Sequence, residues 1–270
     1  MFVGFPVIYS QMCTYLHIPL LIMLMGIIAR GTAFSFRNYD AVKDDKMQDL
    51  YNYIFVYSSF ITPLFLGITA GSVISRQVDP DAGSFLDAYV FGWLNWFSVA
   101  VGFFTVALCG FLAAIYLIGE AKEQFDVKRF TKKAVIMNAV AVGFGGLVFL
   151  AAEIENVHLA HWIFGNPVSL VAVIAASLSL ILLWYLLSKG KTKIIRILAS
   201  FQVTMILVSV GYTHYPNFLM VKGGNNLSLL TDHATAKTID DLGWGLLIGS
   251  LFILPALFYL YYSFQKKKPA

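Results

Sequence analysis

Histidines are the side chains of this sequence best suited to hold a haem or a metal, and the chain has five of them. His17 and His214 are candidates for an axial haem ligand, although a membrane haem usually needs two histidines that face each other across a helix pair. His158 and His161 have the i, i+3 spacing of a metal-binding pair. A histidine at a membrane interface more often bonds backbone or water. We therefore expect this chain alone to bind neither haem nor metal.

The acidic residues argue against ion-coupled transport by this chain. All fifteen Asp and Glu residues fall in loops or at the ends of apolar stretches. Ion-coupled transporters normally place an ionisable residue near the centre of the bilayer. A small-molecule permease or membrane binding protein is the alternative function, and it would use kinked helices around Pro19, Pro63 and Pro255. No catalytic residue is predicted.

The elements that must position these residues are apolar helices. Of the 270 residues, 59% are apolar and 13% are charged, and the mean hydropathy is +0.74. A soluble domain carries roughly 25% charged residues, so a soluble globular fold is excluded. The net charge of +4 comes without a basic helix face, which excludes nucleic acid as a partner. Seven charge-free stretches, each long enough to cross hydrocarbon, predict an all-α, polytopic membrane bundle of seven transmembrane helices in a single domain, residues 1–270.

The seven spans are expected at about residues 12–34, 50–75, 88–119, 134–152, 163–188, 197–218 and 242–265. Gly4 and Pro6 interrupt the first apolar stretch, so residues 1–10 are interpreted as the stub of a preceding helix. No basic segment precedes this stub, as one would in a signal peptide. We therefore expect that the chain is a fragment that begins inside a longer membrane protein.

The positive charges predict the orientation in the membrane. Sixteen of the nineteen Lys and Arg residues lie in alternate segments, at residues 30–46, 122–133, 189–196 and 266–268. The other three are Arg76, Lys222 and Lys237. Because Lys and Arg are retained on the cytoplasmic side, the carboxyl terminus is expected in the cytoplasm.

The stretch from Arg30 to Arg37 is the most informative part of the sequence. Its two arginines bracket Phe34 and Phe36 at the cytoplasmic end of the first span. In one interpretation it is an anchor, whose guanidinium groups reach headgroups while the rings pack in the interface. In the other, the deeper Arg30 holds a carboxylate of a partner or the headgroup of a quinone. The residues alone favour the anchor.

The Arg-Gly-Thr-Ala-Phe-Ser-Phe-Arg motif at residues 30–37, preceded by Phe-Pro-Val-Ile-Tyr at residues 5–9, resembles subunit II of the cytochrome bd quinol oxidases. The Ser-Phe-Ile-Thr-Pro run at residues 59–63 is similar to the fourth helix of that family, and Leu-Asn at residues 94–95 is similar to the start of its fifth. Two positions differ: Ser35 stands where the family usually has an acid, and Trp96 where a proline is common. The family has nine helices, and the motifs of its first two, Gly-Phe-Asp-x-Gly and Trp-x-x-Asn-Glu-x-Trp, are absent from this chain.

This resemblance implies an accessory, non-haem subunit of a respiratory quinol:oxygen oxidoreductase in the bacterial plasma membrane. Haems b and d and the quinol would belong to subunit I, with which this chain would form a heterodimer. The resemblance also allows bound lipids and a small single-helix subunit in the complex. The chain would act in an enzyme without being catalytic alone. The residues expected to serve structure or partner contact are Arg30, Gly31, Phe34, Phe36, Arg37, Pro63 and Asn95.

Overall fold

A computed structural model describes residues 1–39, 45–121, 123–188, 192–224 and 226–265, without the side chains of residues 188, 192, 193 and 265. Several of the lysines that predict the orientation lie outside these residues, at positions 43, 122, 189, 191 and 266–268. In chain order the elements are α1 (Pro6–Tyr15), α2 (His17–Tyr39), α3 (Asp45–Ile74), α4 (Phe85–Tyr89), α5 (Trp96–Glu120), α6 (Gln124–Ile154), α7 (Leu159–Gly165), α8 (Pro167–Ser188), α9 (Thr192–His214), β1 (Asn217–Leu219), β2 (Leu227–Ser228) and α10 (Ala236–Gln265).

Seven of these helices are long and apolar enough to cross a membrane: α2, α3, α5, α6, α8, α9 and α10. The all-α, seven-helix membrane bundle predicted from the charge-free stretches is therefore confirmed. The longest, α6, has 31 residues. At 1.5 Å per residue it measures about 46 Å, so its charged first turns extend beyond a hydrocarbon layer of about 30 Å.

The beginning of the chain differs from the expected single helix starting near Met12. The structure has two helices there, because α1 ends at Tyr15 and α2 begins at His17. Pro19 explains the break: proline has no N–H to donate to the Tyr15 carbonyl, and its ring clashes with that carbonyl. Pro19 lies in the first turn of α2, where a helix tolerates proline because the N–H groups have no intrahelical partner.

Neighbouring long helices pack antiparallel, and α5 is central among them. It contacts α3 on one side, α6 on another and α9 on a third, while α2 packs on α3 and α8 packs on α9. A buried apolar cluster joins α5, α6, α8 and α9 around Phe111, Ile115 and Leu183. The membrane part of α10 is different, since none of the residues in its apolar window is buried in the described structure.

The two ends of the bundle differ in what connects the helices. At one end β1 pairs antiparallel with β2, and a second bridge joins Val78 to Val221. Leu16, Trp93 and Leu219 pack together beneath these strands. We call this the hairpin end. The opposite end, where α2, α5 and α8 finish, carries most of the described cations and is called the basic end.

Candidate functional site

The residues singled out in the 30–37 motif lie in the second half of α2 and form what we call the arginine surface: Arg30, Gly31, Phe34, Phe36 and Arg37. The Arg30 guanidinium lies over the ring of Phe55 in α3, 5.3 Å from its centroid. Phe36 stacks on Tyr51 of α3, with ring centroids 6.0 Å apart. Phe34 is 57% exposed, and a Cβ added at Gly31 would meet nothing within 4 Å.

The two arginines of this surface lie at different depths. Arg37 is in the last turn of α2, whereas Arg30 lies nine residues before the end of the helix at Tyr39. At 1.5 Å per residue, Arg30 is about 10 Å further from the basic end than Arg37. Because α2 continues to Tyr39 and does not end at Phe34, only Arg37 of these two arginines lies in its last turn.

The packing of α2 explains why Arg30 reaches α3. The buried residues of this helix are Pro19, Gly26 and Ala33, which are seven residues apart and form the line of contact with α3. Arg30 follows Gly26 by four residues and precedes Ala33 by three, so it emerges at the edge of that line. Its side chain makes no ion pair with any residue that the structure describes.

Pro63 and Asn95 are not part of this surface. Pro63 lies inside α3, eight residues beyond Phe55 towards the hairpin end. Asn95 is the N-cap of α5 at the hairpin end, where its side-chain oxygen accepts a hydrogen bond of 2.7 Å from the Ser98 N–H. An N-cap satisfies a backbone donor at the start of a helix, so Asn95 stabilises α5.

A carboxylate at the hairpin end also caps α5, and sequence analysis missed it. Glu155 follows α6 and accepts hydrogen bonds from the backbone N–H groups of Trp96, at 2.7 Å, and Phe97, at 3.3 Å. A negative charge here also interacts favourably with the positive end of the helix dipole. Only the position of Glu155 at the end of an apolar stretch could have indicated this role.

An arginine at the basic end joins α9 to α5. Arg196 donates from Nη2 to the Tyr116 carbonyl at 2.7 Å and to Glu120 Oε1 at 3.0 Å. Its guanidinium lies directly against Gly119, where an added Cβ would be only 2.5 Å from Arg196 Nε. Sequence analysis treated Arg196 only as one of the charges that set orientation. The structure shows that it holds two helices together.

Small residues allow α3 and α5 to approach closely. A Cβ added at Gly67 would lie 2.7 Å from the Gly102 Cα, and one added at Gly71 would lie 2.8 Å from the Ser98 Cα. Interfaces between membrane helices favour such residues because backbones can then pack in contact. This crossing fixes the helix that carries Phe55 against the centre of the bundle.

The amino-acid sequence matches the family model for cytochrome bd terminal oxidase subunit II over residues 1–264. The chain belongs to this family. The cytochrome bd ubiquinol oxidase subunit 2 of Bacillus subtilis (strain 168) is 30% identical over 108 residues, which are 40% of this chain and 31% of that protein. The matched part thus spans less than a third of the length of this relative. The resemblance that the 30–37 motif indicated is confirmed.

A cytochrome carries haem, and a haem held by this subunit II chain would need two histidines that face each other across a helix pair. His17 Nδ1 bonds the Thr14 carbonyl at 2.8 Å, and its ring packs on Tyr89. His214 Nδ1 bonds the Val210 carbonyl at 2.7 Å. The two histidines therefore have separate sets of neighbours and do not face each other. His17 and His214 therefore do not form the facing pair that a haem with two axial histidines requires.

This subunit II chain also contains an apolar cavity of about 300 Å³ between α5, α6, α7, α8 and α9. Two buried amides line it. Asn138 Oδ1 accepts a hydrogen bond of 2.8 Å from Trp184 Nε1, whereas Gln202 Oε1 has no partner among the described residues. The sequence does not indicate this cavity, because side chains from five separate helices form its wall.

Proposed function

We propose that this chain is the accessory membrane subunit of a respiratory cytochrome bd-type quinol:oxygen oxidoreductase. It forms a heterodimer with subunit I, which carries haems b and d and the quinol site. This chain is a scaffold for that subunit and is not catalytic alone. The observation that carries the proposal is the family match over residues 1–264.

Two features of the described residues support a scaffold. The described acids of the long helices lie near helix ends, as Asp49, Glu120 and Glu153 do, whereas ion-coupled transport normally needs an ionisable group such as a carboxylate near the bilayer centre. The surfaces of α2 and α10 are also extensively apolar, and within the described residues α10 has no helix packed along its membrane part. Such surfaces suit contact with lipid and with other membrane helices.

The proposed location is the bacterial plasma membrane, with the basic end and the carboxyl terminus in the cytoplasm. The rule that Lys and Arg stay on the cytoplasmic side supports this orientation. The single transmembrane domain, the bound lipids and a small single-helix subunit are further parts of the proposal. Pro63 and Asn95 serve helix structure in this scheme, Arg37 anchors the end of α2 at the headgroups, and the rest of the arginine surface serves contact with the partner.

Co-expression with subunit I tests the proposal. The purified complex should show haem absorption and quinol-dependent oxygen uptake, whereas this chain purified alone should carry no stoichiometric haem. Stoichiometric haem on the isolated chain would contradict the division between the subunits. Solute uptake by vesicles that contain only this chain would instead support a permease.

A further inference from the structure

Arg30 is a cation in the middle part of a membrane helix. It has thirteen residues of α2 before it and nine after it. Its guanidinium lies over the ring of Phe55, which is ten residues from the start of α3 at Asp45. Arg30 is therefore more than two turns from the basic end along two helices that are long and apolar enough to cross a membrane. Charged side chains at that depth are rare and almost always have a partner.

The described residues of this chain supply no such partner. The one specific contact of the Arg30 guanidinium is the face of Phe55, at 5.3 Å. A cation–π contact offsets only part of the loss of hydration, because the ring carries no net charge. The described carboxylates nearest along α3 are Asp45 and Asp49, and neither forms an ion pair with Arg30. The guanidinium thus keeps its five N–H donors available.

The surface beside Arg30 is open enough to admit another helix. Gly31 has nothing within 4 Å of its added Cβ, so a neighbouring backbone could approach closely there. Ile27 and Phe34, one turn before and after, are 50% and 57% exposed. An apolar surface with one fixed cation at its centre is complementary to an apolar helix with one acid.

We propose that Arg30 forms an ion pair with an Asp or Glu carboxylate on a transmembrane helix of subunit I that packs along α2. This inference rests on the proposed function, because it names subunit I as the source of the carboxylate. A carboxylate fits better than the headgroup of a quinone, because a quinone is neutral and leaves the charge uncompensated. A guanidinium also binds a carboxylate with two parallel hydrogen bonds, which sets the register of the two helices.

Assembly with subunit I is the measurement that tests this pair. The two proteins are co-expressed, this chain carries an affinity tag, and the ratio of haem to tagged chain is read after size-exclusion chromatography. Arg30→Gln should lower that ratio by at least about tenfold, because breaking a buried ion pair leaves one charge uncompensated. Arg30→Lys should retain part of the wild-type ratio, because the positive charge is kept. Arg37→Gln is the matched control, and it should stay near wild type because Arg37 lies in the last turn of α2.

A second set of variants identifies the carboxylate. Each Asp and Glu in the transmembrane helices of subunit I is changed to Asn or Gln in the Arg30→Gln background. Neutralising one of these acids should restore assembly, because the pair is then removed as a whole. If Arg30→Gln lowers the ratio of haem to tagged chain and no substitution in subunit I restores it, the proposed ion pair is overturned. Equal ratios for Arg30→Gln and Arg37→Gln would overturn it too, and would instead indicate lipid headgroups as the partner. Failure of the unchanged chain to assemble with subunit I would contradict the proposed function itself, and this outcome is distinct from the others.

Discussion

Replacing Gly67 with alanine should force α3 and α5 apart at their closest approach. The new Cβ would lie 2.7 Å from the Gly102 Cα and 2.8 Å from the Thr105 Cβ. Carbon atoms in favourable contact are about 3.5–4.0 Å apart, so the helices must separate by roughly 1 Å. The obstructing Gly102 atom belongs to the backbone, and therefore a change of side-chain rotamer cannot relieve the clash.

The size of the effect follows from two opposing contributions. Overpacking a well-packed interior typically costs about 1–3 kcal/mol. Alanine is also a better helix former than glycine by about 0.8–1.0 kcal/mol, which partly hides that cost. Gly245→Ala in α10 is the matched control, because an added Cβ there meets nothing within 4 Å. The difference between the two variants should be about 1–3 kcal/mol, equivalent to roughly 5- to 150-fold in the unfolding equilibrium.

The assay is equilibrium unfolding of the full chain in mixed micelles, followed by tryptophan fluorescence. Gly67→Ala should unfold at a lower denaturant concentration than the unchanged chain, and Gly245→Ala at the same or a higher one. If both variants unfold at the same concentration, the close approach of α3 and α5 is refuted, and with it the explanation of why Gly67 and Gly71 are glycines.

The same unfolding assay checks two further predictions at the ends of α5. Glu155→Gln should lower the free energy of unfolding by about 1 kcal/mol, because one hydrogen bond at the start of α5 and the negative charge at the helix dipole are lost. Glu153→Gln is the control, because Glu153 is exposed. An equal loss of stability in this control would count against the cap. Gly119→Ala should be less stable than Gly146→Ala by about 1 kcal/mol, because the far end of the Arg196 side chain must move and its hydrogen bond to the Tyr116 carbonyl is lost. Gly146→Ala, whose Cβ meets nothing within 4 Å, should cost less, and a similar cost for both variants would contradict this role of Arg196.

The sequence was sufficient for the number and kind of the long helices, because each needs only an uninterrupted apolar stretch of its own. The helix ends were harder to predict. The first turns of α6 contain Lys128 and Lys132, so this helix begins at Gln124, ten residues before the membrane span that the charges predict. A helix can continue beyond the hydrocarbon, so charge marks the edge of the membrane and not the end of the helix.

Contacts between distant segments could not be predicted in the same way. The carboxylate of Glu155 and the backbone that it caps are 59 residues apart in the sequence. The two glycine pairs Gly67/Gly71 and Gly245/Gly249 have the same spacing, yet within the described residues only the first faces another helix. Spacing shows that a close approach is possible, and which helix comes next to the glycines is decided by the packing of the whole bundle.

The central position of α5 has a consequence for the order in which the chain is made. Its contacts with α3 can form as soon as α5 leaves the ribosome, but Arg196 lies more than 70 residues further along. At about 5–20 residues per second, synthesis needs roughly 4–15 s to reach it. During that interval Gly119 lacks the guanidinium that packs on it in the folded chain. The rate of elongation between α5 and α9 therefore sets how long the nascent chain remains without the contact between these two helices.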